Sequence, residues 1–326
     1  MFGRHARSDR PSITTRTQRS VFMKCLLTFF LFALLSADLL GQSVESLNRS
    51  GLKSLKQGDY QTAVATFSKV IEKTSHPYAK PRPIESTFAA TEPSDADNVT
   101  IIDPQTAAAF VNRGKAYLGT GDVDRALDDF NRALNISPAM VAGLLCRGGA
   151  YISKERLDDA IADFDRVIKL EPKLPDGYIA RGVAYQHRGD LPTAFENFNR
   201  AIEVAPKSAL AFYYRGEAER RAKDQVSAVR DFDMAIKLDP TLEYAYCGRG
   251  LIRLRKGDLD GAIEDMSKAV SITPRFARGY AGRGYALYAK GKTADAQADF
   301  AKARDLDPTL ADEIDECVKI IDNLKK

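Results

Sequence analysis

An interval of 34 residues governs this chain. An Arg-Gly pair returns at Arg113-Gly114, Arg147-Gly148, Arg181-Gly182, Arg215-Gly216, Arg249-Gly250 and Arg283-Gly284. A proline closes each interval at Pro138, Pro172, Pro206, Pro240, Pro274 and Pro308. Between them an alanine is followed four positions on by a large apolar residue: Ala126/Phe130, Ala160/Phe164, Ala194/Phe198, Ala228/Phe232, Ala262/Met266 and Ala296/Phe300. Six such units tile residues 107–310 without a gap. A fixed period of this length means a stacked array of small units, none of which can bury its apolar face alone.

The unit Ala107–Met140 shows why. Phe110, Val111, Tyr117 and Leu118 stand at helical spacing, so 107–120 is predicted as a first helix. Gly121-Asp122 ends it, and Asp122 is a favourable N-cap for the next. The second helix carries Ala126, Leu127, Phe130, Ala133 and Leu134 on one face. Pro138 then forces a turn. A glycine within a helix costs about 1 kcal/mol relative to alanine. Its return in every unit implies close helix approach, with Gly114 expected against Ala126 and Ala133 and Phe130 filling the gap to the following unit.

This layout resembles the tetratricopeptide repeat (TPR) family, through Phe110, Gly114, Tyr117, Ala126, Phe130, Ala133, Pro138 and their downstream equivalents. Two departures stand out: no unit has Trp at the aromatic position, and Arg replaces the usual Leu before the glycine. The resemblance implies an all-α fold, a right-handed superhelical solenoid of helical hairpins.

Either side of the six units the pattern loosens. Gly51, Gly58-Asp59, Ala63 and Phe67 match Gly114, Gly121-Asp122, Ala126 and Phe130 at a separation of 63 residues, one period plus an insertion of 29. Residues 44–77 therefore read as a divergent seventh unit. Residues 78–106 read as the main part of a Pro-rich inserted loop that opens near Ser75, with Pro81, Pro83 and Pro93 among acidic residues. That loop is expected as a surface insertion, with docking over one face of the array as the sharper alternative. At the other end, Ile314, Cys317, Val318, Ile321 and Leu324 form one stripe, so 311–326 is expected as a C-terminal capping helix.

Residues 1–41 read as a targeting segment. Arg4, Arg7, Arg10, Arg16, Arg19 and Lys24 precede the apolar run Cys25–Leu35, which is signal-peptide length and short for a membrane span. Cleavage is expected after Ala37 or Gly41. The reading is export, periplasmic or secreted; the rival is an uncleaved segment that tethers the array to a membrane, its one route to membrane contact. With this segment set aside, 42 basic residues balance 42 acidic ones, so the net charge of +4 gives no support for nucleic-acid binding. Cys146, Cys247 and Cys317 are an odd number far apart, which argues against a disulfide framework.

Nothing in the sequence assembles into a catalytic constellation. His5, His76 and His187 are the only histidines, and no nucleotide-binding, metal-ligand or nucleophile motif is present. No cofactor is expected. The Arg before each glycine is expected to bond the second helix of its own hairpin, at Asp129, Asp163, Asn197, Asp231, Asp265 or Asp299, rather than to bind anions.

By the resemblance, first helices line a groove. Its expected face runs through Val111, Leu145, Ile179, Tyr213 and Cys247, with Lys115, Val183, Glu217, Leu251 and Tyr285 beside them. The family's Lys- and Asn-based clamp for C-terminal carboxylates is not matched. A basic strip is the second candidate, through His187, Arg188, Arg220, Arg221, Lys223, Arg255 and Lys256, with Glu219 and Arg253 paired one unit apart. The function that follows is a non-catalytic protein–protein interaction scaffold holding a peptide or protein partner. The alternative is a substrate-presenting or regulatory subunit of an enzyme complex. Oligomeric state is left open.

Overall fold

The computed structural model describes residues 43–75 and 104–324; the leader and nearly all of the insertion lie outside this range. Every regular element among the described residues is helical. None of these helices is long and apolar enough to cross a membrane. The chain divides into two compact units, 1–116 and 117–326.

In the first unit, α1 (Val44–Gln57) and α2 (Tyr60–Thr74) form the divergent hairpin, and α3 (Pro104–Gly119) starts three residues ahead of the expected boundary. The Ser43 hydroxyl accepts from the Ser46 amide, and Asp59 accepts from Thr62, so both helices of the hairpin are capped as their sequences dictate. Leu47, Ala63, Phe67, Val70, Ala109 and Ala116 form the core. Thr106 donates to the Thr74 carbonyl at 3.2 Å, which ties the start of α3 to the end of α2.

The second unit is a run of helical hairpins. Its helices are α4 (Val123–Ile136), α5 (Val141–Ser153), α6 (Leu157–Leu170), α7 (Pro175–Arg188), α8 (Leu191–Val204), α9 (Ala209–Arg221) and α10 (Gln225–Leu238). Then come α11 (Glu243–Arg255), α12 (Leu259–Ile272), α13 (Ala277–Ala289), α14 (Thr293–Leu306), a 3-10 turn at Pro308–Leu310, and α15 (Ala311–Leu324). Each hairpin turns through one left-handed residue. Glycine takes that place at Gly121, Gly189, Gly257 and Gly291, whereas Glu155 and Lys223 adopt φ of 59° and 66° without its freedom. The next residue caps the second helix where it is Asp: Asp122, Asp190, Asp224 and Asp258 accept from Arg125, Thr193, Ser227 and Gly261 amides.

The repeating glycine meets the ring of its own hairpin. A Cβ on Gly148 would lie 2.4 Å from Phe164, and one on Gly284 2.5 Å from Phe300. The expected approach to the alanine is also made, with the Ala228 carbonyl 3.3 Å from a Cβ on Gly216, but the nearest body is the ring. The ring is the larger body, and it occupies the space that the missing side chain leaves. The same ring also reaches the following unit, since a Cβ on Gly248 would lie 2.6 Å from Phe232. Phe232 is thus a wedge between two first helices, Phe164 packs likewise with Ala184 of the next one, and both rings are fully buried. At the end of the array, Ile314 is fully buried with Phe300 and Leu310, and Cys317, Val318 and Ile321 pack beside it, so α15 caps the last hairpin as expected.

Candidate docking pocket

The arginine before each glycine fixes the first helices in place. Arg215 donates from Nε and Nη2 to the two oxygens of Asp231 at 2.6 and 2.9 Å. Arg249 does the same to Asp265, and Arg283 to Asp299. In the unit with an amide, Arg181 Nε donates to Asn197 at 2.7 Å. The carboxylates hold the guanidinium groups of Arg215, Arg249 and Arg283 above their ordinary pKa range. The expected pairing is therefore made at Arg181, Arg215, Arg249 and Arg283. The remaining nitrogen does something the sequence reading missed: it reaches back to the preceding second helix. Nη1 of Arg181, Arg215 and Arg249 donates to Asp165, Asn199 and Asp233 at 2.5, 2.8 and 2.6 Å. A polar residue two positions after Asp163, Asn197 and Asp231 was the available signal. These arginines are structural and are spent within the array.

First helices α9, α11 and α13 leave a pocket of about 290 Å³ between them. Two successive 34-residue registers line it: Tyr213, Cys247 and Ala281 in one, Glu217, Leu251 and Tyr285 in the other. The pocket exists because the chain is small here. Cys247-Gly248 and Ala281-Gly282 stand where the preceding units have Ile179-Ala180 and Tyr213-Tyr214. One wall is aromatic: Tyr244 lies 5.9 Å from Tyr213 and meets Phe276 edge-on at 5.2 Å. Another wall comes from Leu310 and the capping-helix residue Glu313.

Two of the charged groups that line the pocket pair with each other. Arg220 donates twice to Glu217, at 3.1 and 2.8 Å, and both are half-buried. Glu217 in turn holds the Arg220 pKa up. Burial raises the Tyr213 phenol and pushes the Cys247 thiol up to about 12, so both are neutral at pH 7. Burial raises the Tyr285 phenol, and Cys317 beside it adds to the rise. Among the described residues no group of His, Cys, Asp and Glu is placed to hold a metal ion.

The other candidates separate. Tyr213, Leu251, Tyr285 and Arg220 converge on the pocket, with Cys247 and Glu217. Val111 and Ile179 are buried in the helical layer, Ile179 against Tyr178, Ala201 and Ala211, and so do not present a surface. Leu145 is half-buried and packs with Leu134, Leu144 and Val167. His187, Arg221 and Arg255 are exposed outside the pocket. Arg188 is paired with Asp158, which withdraws one cation from the expected strip. The proposed Glu219–Arg253 pair is not formed. Arg253 turns into its own hairpin, to Asp265 at 3.0 Å and the Gly261 carbonyl, and one Glu219 carboxylate oxygen is buried without a partner. Both occupy the same register position, so each faces its own second helix instead of the other. Tyr244, Phe276, Arg278 and Glu313 were not singled out from sequence; the paired small residues of α11 and α13 were the clue to them.

Family models for the TPR repeat match residues 148–187 and 250–291, and tetratricopeptide repeat models match 107–139 and 179–243, together more than half of the chain. No curated protein matches the sequence. Solved structures match in number, with 418 chains similar. A tetratricopeptide repeat protein from Parabacteroides merdae ATCC 43184 is 21% identical, with a TM-score of 0.57 over 86% of this chain and 99% of that one. TTC0263, a thermophilic TPR protein in Thermus thermophilus, is also 21% identical, with a TM-score of 0.51 over 56% of this chain and 99% of its own. A chain of the APC/C hetero-tetramer Cut9-Hcn1 is 13% identical, with a TM-score of 0.57 over 85% of this chain and 55% of that one. These likenesses share the superhelical hairpin fold, and the family matches fall on the repeats that the 34-residue period marks out: the chain belongs to the tetratricopeptide repeat family.

Proposed function

We propose that this chain is a non-catalytic docking scaffold, holding a peptide segment of a protein partner over first helices α9, α11 and α13. TPR proteins are generally repeat scaffolds that bind protein partners. The observation that carries the reading to these helices is the convergence of two repeat registers on one pocket. Its volume of 290 Å³ sits at the lower edge of the range of about 300–1,000 Å³ for sites that enclose a small ligand. A pocket of that size, walled by aromatics, suits the anchor of a longer segment.

The test is affinity capture from an extract of the source cell, comparing the parent chain with Tyr244→Ala. Tyr244 is 47% exposed, so the change leaves the core intact. A partner held by the parent and lost by the variant supports the reading; a partner held equally by both moves the site elsewhere. Robust turnover of any substrate by the pure chain would overturn the non-catalytic assignment.

The basic and apolar runs of residues 1–41 support export of the array to the periplasm or the medium. N-terminal sequencing of the mature protein decides between cleavage near Ala37 or Gly41 and retention as a tether.

A further inference from the structure

We infer that the pocket of α9, α11 and α13 takes one large apolar side chain from an extended protein segment, which carries a carboxylate toward Arg278 and a cation toward Glu313. The inference rests on the docking reading above and adds the chemistry of the occupant.

The charges around the pocket divide into a spent pair and a free pair. Glu217 and Arg220 neutralise each other by two hydrogen bonds. Arg278 and Glu313 are exposed at the lining, and neither forms an ion pair among the described residues. Arg278 stands in the first turn of α13 and Glu313 in the first turn of α15. A segment crossing the pocket therefore meets one free positive and one free negative group, which selects its charges.

The interior is built to receive an apolar group. Tyr244 is half exposed yet packed against two rings, so it has little freedom left to lose on contact. Tyr285 is 7% exposed and lines the pocket with its ring.

The experiment is selection of a random peptide display library on the purified chain, followed by titration of an enriched peptide. Enriched sequences should combine Phe, Tyr, Leu, Ile or Met with an acidic and a basic residue. Arg278→Glu should weaken the peptide at least tenfold, and replacing the peptide's acid by Lys should restore binding to that variant. Glu313→Lys should act likewise on the basic residue. Both positions are exposed, so unchanged circular dichroism shows that the fold is kept. Enrichment that ignores Arg278 and Glu313 but is lost in Tyr244→Ala overturns the charge assignment and leaves the docking reading standing. Enrichment indifferent to all three variants overturns both. No enrichment overturns the inference, and the capture experiment then judges the docking reading alone.

Discussion

Asp163 receives the Arg147 guanidinium through two bonds, from Nε at 2.8 Å and from Nη2 at 2.7 Å, while Nη1 of the same group reaches back to Asn131 at 2.8 Å. One arginine thereby joins its own second helix to the preceding one. Asp163 is 4% exposed and Arg147 17%, so the pair is shielded from solvent screening.

Breaking such a pair on one side leaves a buried charge uncompensated, which costs about 3–5 kcal/mol. Arg147→Leu should therefore destabilise the chain by about that amount in urea unfolding. The double variant Arg147→Leu/Asp163→Leu should recover most of the loss. Arg181→Leu should cost less, because its partner Asn197 is neutral and keeps its bond to the Thr193 carbonyl. Equal losses for Arg147→Leu and Arg181→Leu would show that the charge of the aspartate is immaterial.

Two adjacent glycines should respond in opposite directions. A Cβ on Gly148 meets Phe164 at 2.4 Å, whereas one on Gly149 meets nothing within 4 Å. Gly149→Ala should stabilise the chain by about 1 kcal/mol through helix propensity alone. Gly148→Ala should destabilise it by about 1–3 kcal/mol, since the ring is a wedge with no room to retreat. Melting temperatures of the two single variants give the answer, and a matching sign would refute the wedge.

The repeat period made the helices, their caps and the arginine register legible from sequence, because each is a local rule repeated in phase. Depth was harder to read. Ile179 and Tyr213 occupy the same register position, yet Ile179 is buried and Tyr213 lines the pocket. The difference lies in the neighbouring unit: Cys247-Gly248 leaves space beside Tyr213, while Ile179 is covered by Tyr178, Ala201 and Ala211. A face is set by one helix, but its exposure by the volumes of two or three. The backward reach of each arginine was hidden for a related reason, since it joins residues 16 apart in the direction opposite to the hairpin.

Lys223 holds the left-handed turn position that glycine fills at Gly189 and Gly257. For an L-residue this conformation costs roughly 1–2 kcal/mol. Lys223→Gly should therefore raise stability by about 0.5–1 kcal/mol, part of the gain being offset by the freer unfolded chain. Gly189→Ala should lower stability at the equivalent turn, where a Cβ has space but the φ of 86° remains. Chemical denaturation of the two variants checks the pair. A loss of stability in Lys223→Gly would mean that the lysine side chain contributes more than the turn strain.

Glu219 should make stability depend on pH. Burial first, and then the Asp231 charge, raise its carboxyl from 4.5 to about 7, with Arg215 opposing. Asp224 adds to the rise and Arg230 counters it. The folded chain therefore binds this proton more tightly than the unfolded chain does. Below about pH 4.5 both forms are protonated and the site is neutral in its effect. As pH rises from there to about 7, the unfolded chain ionises while the folded one resists, and stability falls; above that the loss is complete. Glu219→Gln removes the titration, so its melting temperature should exceed that of the parent by a margin that grows from about pH 5 to about pH 8. Glu219→Tyr, the residue of the equivalent positions 117, 151 and 185, should act in the same direction. A margin constant across this range would place the carboxyl in contact with water and remove the buried oxygen as the cause.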